Sequence, residues 1–181
     1  MAGLREIFDN SDDEEVHPEP TARENASAST SAQALLFGST PSCVHGCTAA
    51  PWPIMSEEKR NILLYLYRQR VDCLYKILHW PTVLADIARL HSEARDSYKP
   101  TPIRALELSI YFTSLCSITN DEAMNLGLGD RAGLIEQYRN STERALSEAG
   151  LLQQPNVTVL QAFVIYLVGS PYLELLHIVD I

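Results

Sequence analysis

Basic residues are scarce in this chain. Its 181 residues hold 14 lysines and arginines against 23 acids, a formal net charge of −9. Binding to DNA or RNA rests on cations that displace phosphate counterions, so this balance argues against direct nucleic-acid contact. Cysteine is also sparse, with four residues and no C-x-x-C pair. A disulfide framework and a structural zinc site both need more. No apolar run approaches the ~18 residues of a membrane-spanning helix, and the most apolar stretch, 157–169, is broken by Thr158 and Gln161. The N-terminus lacks a basic end joined to an apolar run and a cleavage site, so no secretion is expected. The sequons at Asn25, Asn140 and Asn156 then carry no meaning. Period-two alternation between turn signals is missing too, which excludes a strand-based fold. The expectation is a soluble intracellular protein with reduced cysteines.

What is present falls into two parts. The first 55 residues hold eight acids (Glu6, Asp9, Asp12, Asp13, Glu14, Glu15, Glu19, Glu24) against Arg5 and Arg23, and so carry six of the nine net negative charges. Residues 1–33 offer little to bury and are expected to be disordered. Residues 34–55 read as a Ser/Thr/Pro-rich linker ending in Pro51-Trp52-Pro53, with Trp52 as its anchor to the domain. The helical domain is expected over 56–181.

Helix signals are dense from Ser56 onward. Ser56 is an N-cap followed by Glu57 and Glu58, acids that suit the positive end of a helix. Ile62, Leu66, Cys73 and Ile77 make one apolar stripe, and Leu63, Tyr67, Leu74 and Leu78 make its neighbour. Pro81 is expected to end this helix, because the residue before proline avoids helical geometry. A second helix is expected over 82–94, with Val83, Leu84, Ile87, Leu90 and His91 on one face. Thr101-Pro102 opens a third through Cys116, with Ala105, Leu108, Phe112 and Cys116 facing the core. Asn120 is expected to cap a short fourth helix over 121–126, stopped at Gly127.

Residues 130–168 look like the organising pair. Asp130 caps a helix whose face is Leu134, Tyr138, Thr142, Ala145 and Ala149, and Gly150 ends it. Pro155-Asn156 starts a more apolar helix with Leu160, Phe163, Val164 and Leu167 on one side. The whole is an all-α single domain of about six helices. Phe163, Val164 and Leu167 form its candidate interaction face, through protein partners or self-association.

Several short patterns invite chemistry and fail on context. Cys43-Val44-His45-Gly46-Cys47 has ligand-type residues but no second pair, so it reads as a loop of small residues and not a metal site. Gly127-Leu128-Gly129-Asp130-Arg131-Ala132 has the dinucleotide form, yet a helix and not a strand precedes it, which leaves a glycine hinge. Glu174-Leu175-Leu176-His177 has the spacing of a di-iron helix without a second copy. His17, His45, His79 and His91 have no nucleophile, metal or acid–base partner set in the sequence. No catalytic, cofactor, metal or nucleic-acid residue is therefore assigned, and an enzyme is not expected.

Five phrases, in order, carry a resemblance. They are Leu36-Phe37-Gly38, Leu74-Tyr75-Lys76-Ile77-Leu78-His79-Trp80-Pro81-Thr82 and Pro102-Ile103-Arg104-Ala105-Leu106-Glu107-Leu108-Ser109-Ile110-Tyr111-Phe112. Arg139-Asn140-Ser141-Thr142-Glu143-Arg144-Ala145-Leu146 and Thr158-Val159-Leu160-Gln161-Ala162-Phe163-Val164-Ile165-Tyr166-Leu167 complete the set. Together they resemble the middle homology region of fungal zinc-cluster transcription factors, across residues 34–168. The resemblance implies an all-α domain, a nuclear location and regulation of specialised-metabolite or nutrient-use genes. In that family a separate cluster of six cysteines and two zinc ions, flanked by basic residues, contacts DNA; these 181 residues hold no such cluster. The family region also runs on where this chain turns at Gly169-Ser170-Pro171. The resulting expectation is a regulator acting through protein contacts or a sensed ligand, without its own DNA reader. The alternatives are a shortened or mispredicted piece of a full-length factor and, third, a small helical enzyme.

Overall fold

The computed structural model describes residues 52–92 and 101–170. Among these there are six helices and no strand: α1 (Glu57–Tyr67), α2 (Trp80–Ser92), α3 (Pro102–Cys116), α4 (Asn120–Asn125), α5 (Arg131–Glu148) and α6 (Val157–Gly169). The all-α architecture expected from the sequence is what is found. The acidic tail, the Cys43–Cys47 loop, His17, His45, residues 93–100 and the Glu174-x-x-His177 pattern lie outside the described residues.

Helix α3 is the axis of the domain. Every residue from Arg104 to Leu115 is buried, so this helix is covered on all sides, its polar side chains included. Helices α5 and α6 both pack on α3 far more than on each other, and α1 covers a further side. This corrects the expectation that residues 130–168 form the organising pair. The two helices are joined in sequence but meet mainly through α3.

Close approach explains the choice of small hydroxyl residues on α3. The Thr113 hydroxyl donates to the Ile165 carbonyl of α6 at 2.8 Å. The Ser114 hydroxyl lies 2.7 Å from its own Ile110 carbonyl and 2.9 Å from the Leu63 carbonyl of α1. Larger side chains at these positions would push both neighbours away. Rings fill the space beyond: Phe112 stacks on Tyr166 with centroids 5.2 Å apart, and Tyr67 stacks on Trp80 at 5.9 Å.

Local cap chemistry sets most of the boundaries. The Ser56 hydroxyl accepts from Lys59 N, Thr101 accepts from Arg104 N, and Asp130 accepts from Ala132 N and Gly133 N. Asn156 accepts from Val159 N. Gly127, Gly129 and Gly150 take positive φ, so the G-x-G pattern is the expected hinge and follows helix α4.

Three expectations are corrected. Thr119, not Asn120, caps α4, through a reciprocal box in which Glu122 reaches back to the Thr119 amide. Pro81 does not end the first helix: it is the second residue of α2. Proline is tolerated in a first turn, where its missing N–H has no helical partner. His79 stands before it, its carbonyl accepting from Val83 N at 3.2 Å and its Nδ1 lying 2.7 Å from the Thr82 hydroxyl.

The third correction concerns register. α1 runs into a π-helical turn, Arg68–Asp72, and a last α turn, Cys73–Tyr75, before Lys76 takes φ +46°. A π turn accommodates one extra residue and rotates everything after it. Leu63, Leu66, Tyr67 and Val71 are buried as an α-helical stripe requires, but Leu74 is then 73% exposed and Cys73 is exposed as well. Both were expected on the core face. Cys116, also expected there, is half-buried.

Candidate functional site

Two features of the folded chain offer chemistry to a partner: the outer face of α6 and a polar cluster beside α3.

Helix α6 is apolar on both sides. Val159, Ala162, Ile165 and Tyr166 are buried against α3 and its neighbours. On the opposite side Val157, Leu160, Val164 and Leu167 recur at helical spacing, with Leu160 46%, Val164 45% and Leu167 40% exposed. The structure divides the three residues of the candidate interaction face. Val164 and Leu167 lie on the outer stripe with Leu160, whereas Phe163 sits at its flank, half-buried and packed against the core. Phe163 is therefore offset from the middle of that stripe, on the side where Leu160 and Leu167 border it, with Val164 turned further from it than either.

The second feature was not singled out from the sequence. Glu107, in the middle of α3, is 1% exposed and collects three donors. Arg104 Nη1 lies 2.7 Å from Oε2, the Tyr111 hydroxyl donates to Oε1 at 2.7 Å, and His91 Nε2 of α2 is 2.5 Å from Oε1. Burial pushes the Glu107 carboxyl up, but the His91 hydrogen bond, the Arg104 charge and the Tyr111 hydroxyl outweigh it and hold the group below the usual carboxylate range. Burial, reinforced by the Glu107 charge, pushes the Tyr111 phenol up. Tyr138 of α5, edge-on to Tyr111 at 5.9 Å, is raised for the same reasons.

This cluster forms one wall of a cavity of about 110 Å³. Trp52, Pro53, Ile54 and Met55 contribute a second wall, and Arg60 of α1 and Leu108 of α3 complete it. Trp52 is itself buried, with the Arg144 guanidinium carbon 3.8 Å from its ring centroid. Arg104 Nε has no hydrogen-bond partner among the described residues. A buried donor left in that state costs about 1–3 kcal/mol. The readable signal was the i, i+3, i+7 series Arg104, Glu107 and Tyr111 within a largely apolar helix. The His91 contact was not readable, because it joins residues 16 apart across a helix connection.

Part of the chain is similar to known proteins. A stretch of 116 residues, 62% of this chain, is 36% identical to the C6 finger domain transcription factor nscR of Aspergillus fumigatus. A stretch of 118 residues, 65% of the chain, is 38% identical to the aurofusarin cluster transcription factor of Gibberella zeae. Its relatives are fungal C6 finger transcription factors. A third, the C6 finger domain transcription factor adaR of Aspergillus niger, is 33% identical over 109 residues, 59% of the chain and 14% of that protein. The matched stretch spans only 15% and 17% of the first two relatives. No family model and no solved structure matches.

Proposed function

We propose that this chain is a transcription regulator of a specialised-metabolite gene set, working in the nucleus through protein contacts made by the outer face of α6. The similarity to fungal transcription factors, among them a C6 finger factor and one named for the aurofusarin cluster, is the observation that supports the regulatory role. The apolar outer stripe supports the mode of action. Val157, Leu160, Val164 and Leu167 line one side of a helix whose other side is already packed, and a stripe of this kind suits an apolar partner surface or a second copy.

The chain does not read DNA by itself in this account. Its net charge is −9, which repels phosphate, and none of its residues is assigned to a zinc cluster. Nor is a catalytic role assigned. Glu107 is saturated by three donors, so it is poorly placed to move a proton for a substrate.

Transcript profiling after deletion of the coding sequence tests the reading. A coordinated change across one specialised-metabolite gene set is expected. Unchanged transcripts of every such set under producing conditions would overturn it.

A further inference from the structure

The outer stripe of α6 carries a pattern finer than simple amphipathicity. Val157, Leu160, Val164 and Leu167 are spaced three, four and three residues apart, the spacing of a and d positions in two heptads. All four are exposed. Both a positions are valine and both d positions are leucine. A β-branched residue at a with leucine at d is the combination that favours a parallel pair of helices. An antiparallel pair would set each valine against a leucine instead.

The positions bordering the stripe match in the parallel orientation. There each g residue meets the e residue five places further along the other helix. Here g is Asn156 and Phe163, and e is Gln161 and Val168. Asn156 then faces Gln161 and Phe163 faces Val168, polar on polar and apolar on apolar. The Asn156 side-chain oxygen accepts from the Val159 amide, and its nitrogen is a donor. The Gln161 nitrogen donates to the Ile77 carbonyl, and its oxygen is an acceptor. Phe163 and Val168 are both half-buried against the core.

Charge is absent along the same stripe. No Asp, Glu, Lys or Arg lies between Glu148 and Ser170, in a chain of net charge −9. Two such chains repel over most of their surface, and α6 is a face where neither brings charge to the contact. A charged partner would find nothing on it to pair with.

We propose that α6 binds the α6 of a second copy of this chain, parallel and in register. Val157, Leu160, Val164 and Leu167 then each meet their own counterpart across a two-fold axis. The inference rests on reading this stripe as the interaction face and names the partner it takes. The seam is short. Two heptads of partly exposed side chains cover well under the ~1,200 Å² of a stable interface, so the dimer is weak. A Kd of about 10–100 µM is expected.

Sedimentation equilibrium of the full chain reads the mass, and a disulfide reads the orientation. The mass should rise with concentration towards two chains and no further. Leu160→Lys sets two like charges face to face. It should keep the helical circular dichroism and raise the Kd roughly tenfold or more. Val157→Cys in a glutathione redox buffer should give a dimer whose disulfide joins residue 157 to residue 157, located by peptide mass spectrometry. The wild type, with Cys73 exposed, is treated alike to set the background. An antiparallel pair would hold the two introduced thiols about 15 Å apart, too far to join. A chain that stays monomeric at several times the expected Kd, its stripe bare or covered by its own residues 171–181, would overturn the proposal. Assembly beyond two chains, an unchanged Kd in folded Leu160→Lys, or no 157–157 disulfide above background would do the same. Mass and disulfide report the dimer, whereas reporter transcript reports regulation, so the two readings fail separately.

Discussion

Gly169 of α6 lies so close to Thr113 of α3 that a Cβ added there would stand 2.9 Å from the Thr113 Cα and 2.7 Å from its hydroxyl oxygen. The backbone atom cannot swing aside as a side-chain tip does. Gly169→Ala therefore forces the two helices apart at their tightest point. Overpacking of this kind costs ~1–3 kcal/mol, more than the ~1 kcal/mol that alanine gains over glycine in a helix. Urea denaturation should show Gly169→Ala to be less stable than the wild type. A more stable variant would show that α6 is free to shift.

The Glu107 cluster gives a pH dependence of definite sign. Its carboxyl is held below the ordinary carboxylate range in the folded chain. The stabilisation is then fully present above the unfolded pKa of about 4.3 and is lost as pH falls through the lower folded value. Glu107→Gln should remove this acid-side slope. At neutral pH it should also cost ~3–5 kcal/mol, because Arg104 becomes a buried charge without its counterion. Denaturation midpoints from pH 7 down to about 3 check both effects.

A related expectation separates burial from attraction. Replacing both members, Arg104→Met with Glu107→Leu, should cost less than Glu107→Gln alone, since no unpaired charge remains. A double-mutant cycle on chemical denaturation measures the coupling. If the double variant is the least stable of the set, the ion pair contributes net stability and the argument about the stranded charge is wrong.

The outer face of α6 predicts association. Light scattering on the purified chain should show a mass that rises with concentration. Val164→Asp with Leu167→Asp should keep the wild-type circular dichroism, because both side chains are exposed, and should give a lower, constant mass. Phe163 is the poor choice for this test, since it packs against the core and its loss would perturb the fold.

Most of what was legible in the sequence was local. Ser56, Thr101, Asp130 and Asn156 cap their helices through a side chain and an amide two or three residues on, so neighbours alone decide them. Gly150 ends α5 by the same token. The Cys73–Leu74 face was misread because it depends on a register that the π turn shifts and that periodicity cannot show, and Pro81 because a proline in the first turn of a new helix looks the same in sequence as one that stops the helix before it. The role of α3 was hidden for another reason. A helix buried all round has no polar face to mark its direction, so nothing in 102–116 announced that the later helices pack on it. The Glu107 cluster was half legible, through Arg104 and Tyr111 on the same helix, while His91 arrives from α2.

The central claim is that this domain regulates transcription through the outer face of α6, and a tethered reporter tests it most directly. The chain is fused to a heterologous DNA-binding domain above a reporter gene in a fungal host, and reporter transcript is measured at matched protein levels. The account predicts a several-fold change relative to the DNA-binding domain alone, abolished by Val164→Asp with Leu167→Asp. A wild-type fusion indistinguishable from the DNA-binding domain alone, or a double variant as active as the wild type, would contradict it.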